Sequence, residues 1–313
     1  MEKLTYQKGD RFVPQHEITP VTAEKFLLVD EKPGTILEGL IFDRNGDMYF
    51  THVSESKIMK VDMKTKELSV FFDIPDKRFL PSAVKIHKNG DLYIAGVDYA
   101  SDPAGEHGGI WILSPDTKEW RPLVTGWNVN DLVFDKEGGI YFNNYQGWPL
   151  NPVGSVEYIV PGTDTPVTLA GGLAGPNGIA LSKDQTVLWI TEVAAGMLHR
   201  ICLYDRFHDT TPFKFEGFYG PDSISIDNDD NLYVAMARLG KIIVFNDRGC
   251  RIGEVLTPDC ENGNHLVTTH PMVQPGNKVL YFTCHAQGAD CGSWIMRCGS
   301  YAEGNETAYQ FSV

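Results

Sequence analysis

Short apolar runs of period two alternate with polar turn clusters along most of the chain, and one arrangement recurs six times. A polar residue opens a run of alternating apolar positions. An Asp/Asn/Gly-rich turn follows, and a second run carries aromatic and β-branched residues. The copies are EGLIFDRNGDMYFTHV from Glu38, SAVKIHKNGDLYIAGV from Ser82, NDLVFDKEGGIYFNNY from Asn130, NGIALSKDQTVLWITEV from Asn177, DSISIDNDDNLYVAMA from Asp222 and HPMVQPGNKVLYFTCH from His270. Their opening residues are separated by 44, 48, 47, 45 and 48 residues. So narrow a spread at this length matches the blade period of β-propellers.

Turn residues that tolerate positive φ, Asn45-Gly46 and Asn89-Gly90 among them, predict a hairpin in each copy. Third and fourth strands are predicted at 56–62 and 68–72, at 109–113 and 120–124, and at 240–245 and 252–256. No segment sustains a 3.6-residue apolar stripe, so long helices are not expected. The expected fold is all-β, a six-bladed β-propeller with four-stranded antiparallel blades. No linker or charge block divides the chain. Residues 1–313 are therefore expected to form a single propeller domain, with 1–24 as an N-terminal extension and blades from about residue 25. Closing the ring requires a strand that removes the last blade's free edge, and Lys25–Val29 is the candidate. A β-sandwich would not account for six equal repeats.

Composition narrows the function classes. The 27 Lys+Arg against 41 Asp+Glu give a net charge of −14. There is no basic surplus to release phosphate counterions or to hold an anionic bilayer, so neither nucleic acid nor membrane is an expected partner. No run approaches the ~18 apolar residues of a membrane span. No apolar stretch follows the charges of Met1–Tyr6, so the expectation is no secretory signal and a cytoplasmic location. Cys202, Cys250, Cys260, Cys284, Cys291 and Cys298 contain no C-x-x-C pair and are expected to be free thiols. The sequon at Asn305 then carries no weight. A small-molecule partner and a monomer or small homo-oligomer remain.

In a propeller the first strand of each blade lines the central channel. Glu38, Ser82, Asn130, Asn177, Asp222 and His270 should therefore form one polar ring at one mouth. Two carboxylates in a confined channel need a cation, a shared proton or a basic partner. With two amide oxygens added, the set suits a hard divalent ion, calcium first, with magnesium or manganese next. Zinc fits less well, since only His270 offers nitrogen. The alternative is that polar residues at strand starts cap the blades and hold channel water. Asp131, next to Asn130, is expected to point away from the channel by strand alternation.

These segments also carry a resemblance. Leu37–Asp43, Pro176–Leu181, Gly220–Ser223, and Leu188–Glu192 with Leu198-His199-Arg200 resemble the senescence marker protein/gluconolactonase (regucalcin-like) family. Asp229–Met236 and Thr269-His270-Pro271 are most similar to the drug-responsive bacterial lactonases within it. The resemblance runs from about residue 20 to the C-terminus. It implies a six-bladed propeller with one catalytic divalent metal in the channel, often calcium in that group, and hydrolysis of cyclic esters. Carried over position by position, Glu38, Asn177 and Asp222 are the implied metal ligands, and Asn130 takes the fourth cavity position. The drug-responsive lactonases usually have Asp there and many gluconolactonase-type members have Asn, so one acid/base group is missing here. Ser223 is implied to assist a second, structural ion.

The expected activity is divalent-metal-dependent lactone hydrolysis, in which the ion polarises the carbonyl and activated water opens the ring. Asp222 is the first candidate for general base, with Asn130 beside it in the catalytic set and His270 as an alternative proton shuttle. Ser82, His270, Tyr145 and Trp148 are weaker substrate-pocket candidates. Tyr145 and Trp148 either favour a partly apolar ring over a bare sugar or simply pack their loop. Asp98–His107 and Asn144–Pro149 are lid candidates, and the segment from Cys284 to Cys298 can reach the rim. His52, His107, His265 and His285 are expected to be surface or packing residues near blade loops. No Gly-x-Ser-x-Gly elbow, phosphate loop or dinucleotide loop occurs. Asp227–Asn231 lacks the Gly and Glu of a calcium loop and is expected to be a turn. The alternatives are a non-catalytic ligand-binding propeller, a promiscuous esterase or phosphotriesterase on the same scaffold, or other propeller chemistry such as a strictosidine-synthase-like condensation.

Overall fold

The computed structural model describes residues 18–99, 106–204, 208–217, 220–285 and 292–305. Part of the first lid candidate, part of the segment after Cys284, and Cys291 itself lie outside them. Each repeat forms a four-stranded antiparallel sheet, and the six sheets are the blades of a six-bladed β-propeller. The inner strands are Leu37–Phe42, Leu80–Ile86, Val129–Phe134, Pro176–Leu181, Pro221–Ile226 and Val267–Val273, in blades 1 to 6. Each touches the next, and the last touches the first. Glu24–Asp30 supplies the outer strand of blade 6 by pairing with Ser293–Gly299, so the N-terminal segment closes the ring as expected. Val21–Thr22 adds a short parallel strand to the outer edge of blade 5, a contact the periodicity did not announce. Among the described residues no helix is long and apolar enough to cross a membrane.

Three inner hairpins share one device. In blades 1, 3 and 5 the aspartate just after the inner strand turns its side chain back onto the turn's own N–H groups. Asp43 accepts from Asn45 and Asp47, both at 2.9 Å. Asp135 accepts from Gly139 at 2.7 Å, and Asp227 from Asp229 and Asn231 at 2.9 and 3.0 Å. Asp227–Asn231 is thus a turn held by its first carboxylate, and Asp230 takes the positive φ that Asp tolerates.

The apolar core lies between blades. Phe42 of blade 1 meets Tyr281 of blade 6 edge-on at 5.4 Å, and Tyr93 of blade 2 meets Phe134 of blade 3 at 5.0 Å. Phe213 of blade 4 packs on Phe245 of blade 5 at 4.9 Å. Burying such a ring contributes roughly 1.5–3 kcal/mol. Cys202, Cys250, Cys260 and Cys298 are free thiols, and Cys284 lies 3.2 Å from the His265 carbonyl oxygen, to which its Sγ donates. Asn305 is buried.

All six inner strands carry a register shift near their opening residue, with one extra residue relative to the second strand. Such a bulge leaves N–H groups without ladder partners. Polar side chains of the second strand take them up. Asn143 Oδ1 accepts from Asn130 and Asp131, Thr191 Oγ1 from Gly178, and Thr283 Oγ1 from His270. Thr191 also donates to the Asp222 carbonyl of the next blade at 2.6 Å, and Asn143 to the Asn177 carbonyl. The same bulges bring the blades close. A Cβ on Gly39, at φ +60°, would stand 2.6 Å from Ala83 Cα, and one on Gly178 would stand 2.6 Å from Ile224 N. This accounts for glycine after Glu38 and after Asn177.

The bulge in blade 3 also corrects the expectation for Asp131. Strict alternation is interrupted between Val129 and Leu132. The Asp131 carboxylate pairs with Lys85 Nζ of blade 2 at 3.0 Å, both groups are fully buried, and the Asp131 charge acts on Glu38.

Candidate active site

All six opening residues lie on the inner strands and are buried, but only five share one register position. In blade 6 that position is Thr269, whose hydroxyl donates to the Leu37 carbonyl as that of Ser82 does to Val129. His270 stands one residue further on, where blade 4 has Gly178, which corrects the expectation for the sixth member of the ring. Several contacts tie them together. His270 Nδ1 lies 3.6 Å from Glu38 Oε2. Ser223 Oγ approaches the same oxygen at 3.5 Å from blade 5, and Gly39 N–H donates to it at 3.3 Å. The Asn177 side chain hydrogen-bonds the Asp222 carboxylate. Ser82 is spent differently, since its hydroxyl donates to the Val129 carbonyl of blade 3 at 2.8 Å.

The electrostatics of this ring are unbalanced. Burial, and then the charge of Asp222, push the Glu38 carboxyl well above the usual carboxylate range. Burial pushes Asp222 up to about 7, against hydrogen bonds from Asn177 and the Ser223 N–H. No described cation offsets the pair. His270 is held neutral, because burial and the Lys85 charge both depress its pKa. The Lys85 ammonium is bonded to Asp131. In addition, Asn130 Oδ1 and Asn177 Oδ1 are buried without a hydrogen-bond partner. Buried oxygens of this kind are normally satisfied. Two carboxylates short of positive charge and two orphaned amide oxygens are groups that could hold a hard divalent cation.

Tyr145 overlooks this ring. Burial, then the charges of Asp222 and Glu38, push its hydroxyl up to about 12. The Tyr99 and Tyr145 rings meet edge-on at 6.3 Å. They line a pocket of about 250 Å³ with Trp148, Val153, Gly175 and Ala194. Sequence reasoning reached Tyr145 and Trp148, and Tyr99 as part of a lid candidate, but missed Lys85. It also passed over the second-strand residues Thr51, Asn143, Thr191 and Thr283. Their signal was in the chain, a buried-type position carrying Thr or Asn thirteen or fourteen residues after the opening residue in four copies.

A second cluster, Asp30, His52 and Glu55, offers ligand atoms within 4.8 Å of one another. Lysines already serve it: Glu55 pairs with Lys32 at 3.3 Å and Lys57 at 2.6 Å. Asp30 accepts from the Lys32 N–H and the Thr35 hydroxyl, both at 2.9 Å. This chemistry is an ion-pair network with a packed histidine. His52, His265 and His285 are buried packing residues, and His107 faces Asp76 at 3.1 Å.

A charged triad holds the connection that leads into Asn177. His199 is buried between Glu192 Oε2 at 2.7 Å and Asp209 Oδ2 at 2.9 Å, and Glu192 Oε1 accepts from Ala174 N–H at 2.6 Å. Burial works to lower the His199 pKa, but the hydrogen bonds and charges of Asp209 and Glu192 outweigh it and hold the ring at about 9. A raised histidine pKa gives stability that is complete below about pH 6.5 and lost as pH rises through 9. Thermal melts from pH 6 to 10 should therefore show a loss of roughly 3 kcal/mol that His199→Gln does not show. Parallel pH curves for the two proteins would contradict this assignment.

Comparison with known proteins gives a consistent picture. The family model described as SMP-30/Gluconolactonase/LRE-like region matches residues 36–285. A protein of Staphylococcus haemolyticus (strain JCSC1435) named lactonase drp35 is 38% identical, over 99% of this chain and 98% of its own. A Staphylococcus aureus (strain MRSA252) protein of the same name is also 38% identical, over 96% and 93%. Among solved structures, a calcium-binding protein, regucalcin, of Agrobacterium tumefaciens superposes with a TM-score of 0.74 at 17% identity, over 94% of this chain and 99% of its own. A gluconolactonase of Xanthomonas campestris superposes with a TM-score of 0.66 at 17% identity, over 86% and 88%. At such identity these two structures speak for the fold.

Proposed function

Because this chain belongs to the SMP-30/gluconolactonase/LRE-like family, we propose that it hydrolyses lactones with the help of one divalent cation, calcium by preference, held by Glu38, Asn130, Asn177 and Asp222. The observation that carries this proposal is the ring itself, two uncompensated buried carboxylates beside two orphaned amide oxygens. The lactonase names of relatives that align over nearly the full chain support the choice of substrate class. Bound there, a cation would polarise the ester carbonyl and stabilise the charge that develops on its oxygen.

The chain's own residues supply the rest. Asp222, oriented by its hydrogen bond to Asn177, takes the proton of the water that attacks the carbonyl carbon and returns it to the ring oxygen as the ring C–O bond breaks. Asn130, an amide where an acid would add a second proton carrier, contributes only an oxygen. His270, neutral and beside Glu38, shapes the wall of the site. Tyr99 and Tyr145 keep the mouth narrow.

The test is acid release from sugar, aliphatic and aromatic lactones by chelator-treated protein, with calcium, magnesium, manganese and zinc returned separately. Calcium should restore turnover most fully. If no ion restores hydrolysis of any ring class while circular dichroism shows an intact fold, the proposal fails and a ligand-binding propeller takes its place.

A further inference from the structure

The segment 145–153 between the second and third strands of blade 3 shows an unusual exposure. Trp148 is 71% exposed and Leu150 fully exposed, in a protein of net charge −14. Large apolar groups displayed together mark a binding surface more often than chance. The loop is braced. Trp148 and Asn151 exchange backbone hydrogen bonds at 3.1 and 2.8 Å. Gly147 stands at φ +87°, and a Cβ there would lie 2.6 Å from Val153 N and 2.9 Å from the Leu173 carbonyl oxygen. On Gly154 a Cβ would lie 2.4 Å from the Pro176 ring. Two close approaches thus clamp the loop to the connection that leads into Asn177. Trp148 is held out by a fixed support.

Trp148 lines the pocket of about 250 Å³ together with Tyr99, Tyr145, Val153, Gly175 and Ala194. No charged side chain lines it, and its polar side-chain groups besides the tyrosine hydroxyls are Gln146 and Asn151. Gly175 lies two residues before Asn177. The pocket is therefore a side chamber of the channel mouth, apolar where the ring beyond it is ionic. A polyhydroxylated lactone entering it would give up more water than these few polar groups replace. A hydrocarbon substituent would gain by the area it buries.

We propose that this chamber binds an alkyl chain carried on the lactone ring, with Trp148 as its outer wall, so that alkyl-substituted lactones are preferred over polyhydroxylated ones. The proposal rests on the lactonase function given above. Because γ-butyrolactone lacks the chain, the test separates the two.

The experiment measures kcat/KM for γ-butyrolactone and for γ-lactones with side chains of one to six carbons, on the cation-loaded protein and on Trp148→Ala. Each added methylene should raise kcat/KM by about 3–4-fold until the chamber is full. In Trp148→Ala the ratio of long-chain to short-chain lactone should fall at least about tenfold. As a readout without turnover, a γ-lactam bearing a six-carbon chain should shift tryptophan emission in the wild type more than in Trp148→Phe. A flat chain-length series with γ-butyrolactone turned over would overturn this inference and leave the lactonase function standing. An equal slope in Trp148→Ala would overturn the role of the chamber. Failure of every lactone would overturn both.

Discussion

Asp222→Asn should lower kcat/KM for lactones by about 10²–10⁴ and, with chelator present, make the protein more stable. The two effects have one source. Burial pushes the Asp222 carboxyl up to about 7, against the hydrogen bonds of Asn177 and the Ser223 N–H. In the unfolded chain it titrates near 4. Between those values the folded, cation-free protein holds a proton that the unfolded chain has released. Its stability then falls as pH rises from about 4 to about 7 and levels off above. Asparagine does not titrate. The stability gap between variant and wild type should therefore open across that window and reach a few kcal/mol at neutral pH. Glu38 moves the same way, because losing the Asp222 charge removes one cause of its raised pKa. Urea melts of both proteins with chelator, from pH 4 to 8, check this. A variant less stable than wild type at pH 8 would show that Asp222 is not the strained acid, and one as active as wild type would show that it is not the base.

Lys85→Met should cost about 3–5 kcal/mol, the penalty for leaving one charge of a buried pair alone. Lys85 and Asp131 are 2% and 0% exposed, and the pair joins blade 2 to blade 3 beneath the polar ring. Asp131 also accepts from Leu132 N–H at 2.8 Å and from Ile179 N–H, so it stitches blade 3 to blade 4 as well. The double variant Lys85→Met/Asp131→Asn removes both charges and keeps an acceptor for those N–H groups. It should recover most of the loss, with a coupling well above the ~0.5 kcal/mol of independent sites. Additive losses would mean that the pair contributes nothing as a pair. Removing the ammonium also takes away one of the causes that keep His270 neutral, so the His270 pKa should rise in Lys85→Met.

What the chain determined alone was the repeat and its consequences. Six polar-opened copies at an even spacing determine six blades. The alternating apolar residues determine which faces pack, because a strand exposes successive side chains to opposite sides. The places of Glu38, Ser82, Asn130, Asn177 and Asp222 follow, since equivalent residues of equivalent blades stand at equivalent places, whereas in blade 6 the register puts Thr269 there and His270 one residue further on. The Lys25–Val29 closure follows from the need to cover a free edge. Only the tertiary structure decided how the ring is charged. The six bulges break the period of two just after the opening residues, so Asp131 pairs with Lys85 against the alternation rule. Likewise the orphaned oxygens of Asn130 and Asn177, the neutrality of His270 and the meeting of Tyr99 with Tyr145 depend on contacts between blades. Periodicity is a local property of the backbone. Burial and charge at a channel mouth are sums over six distant segments, and they take definite values only once the ring has closed.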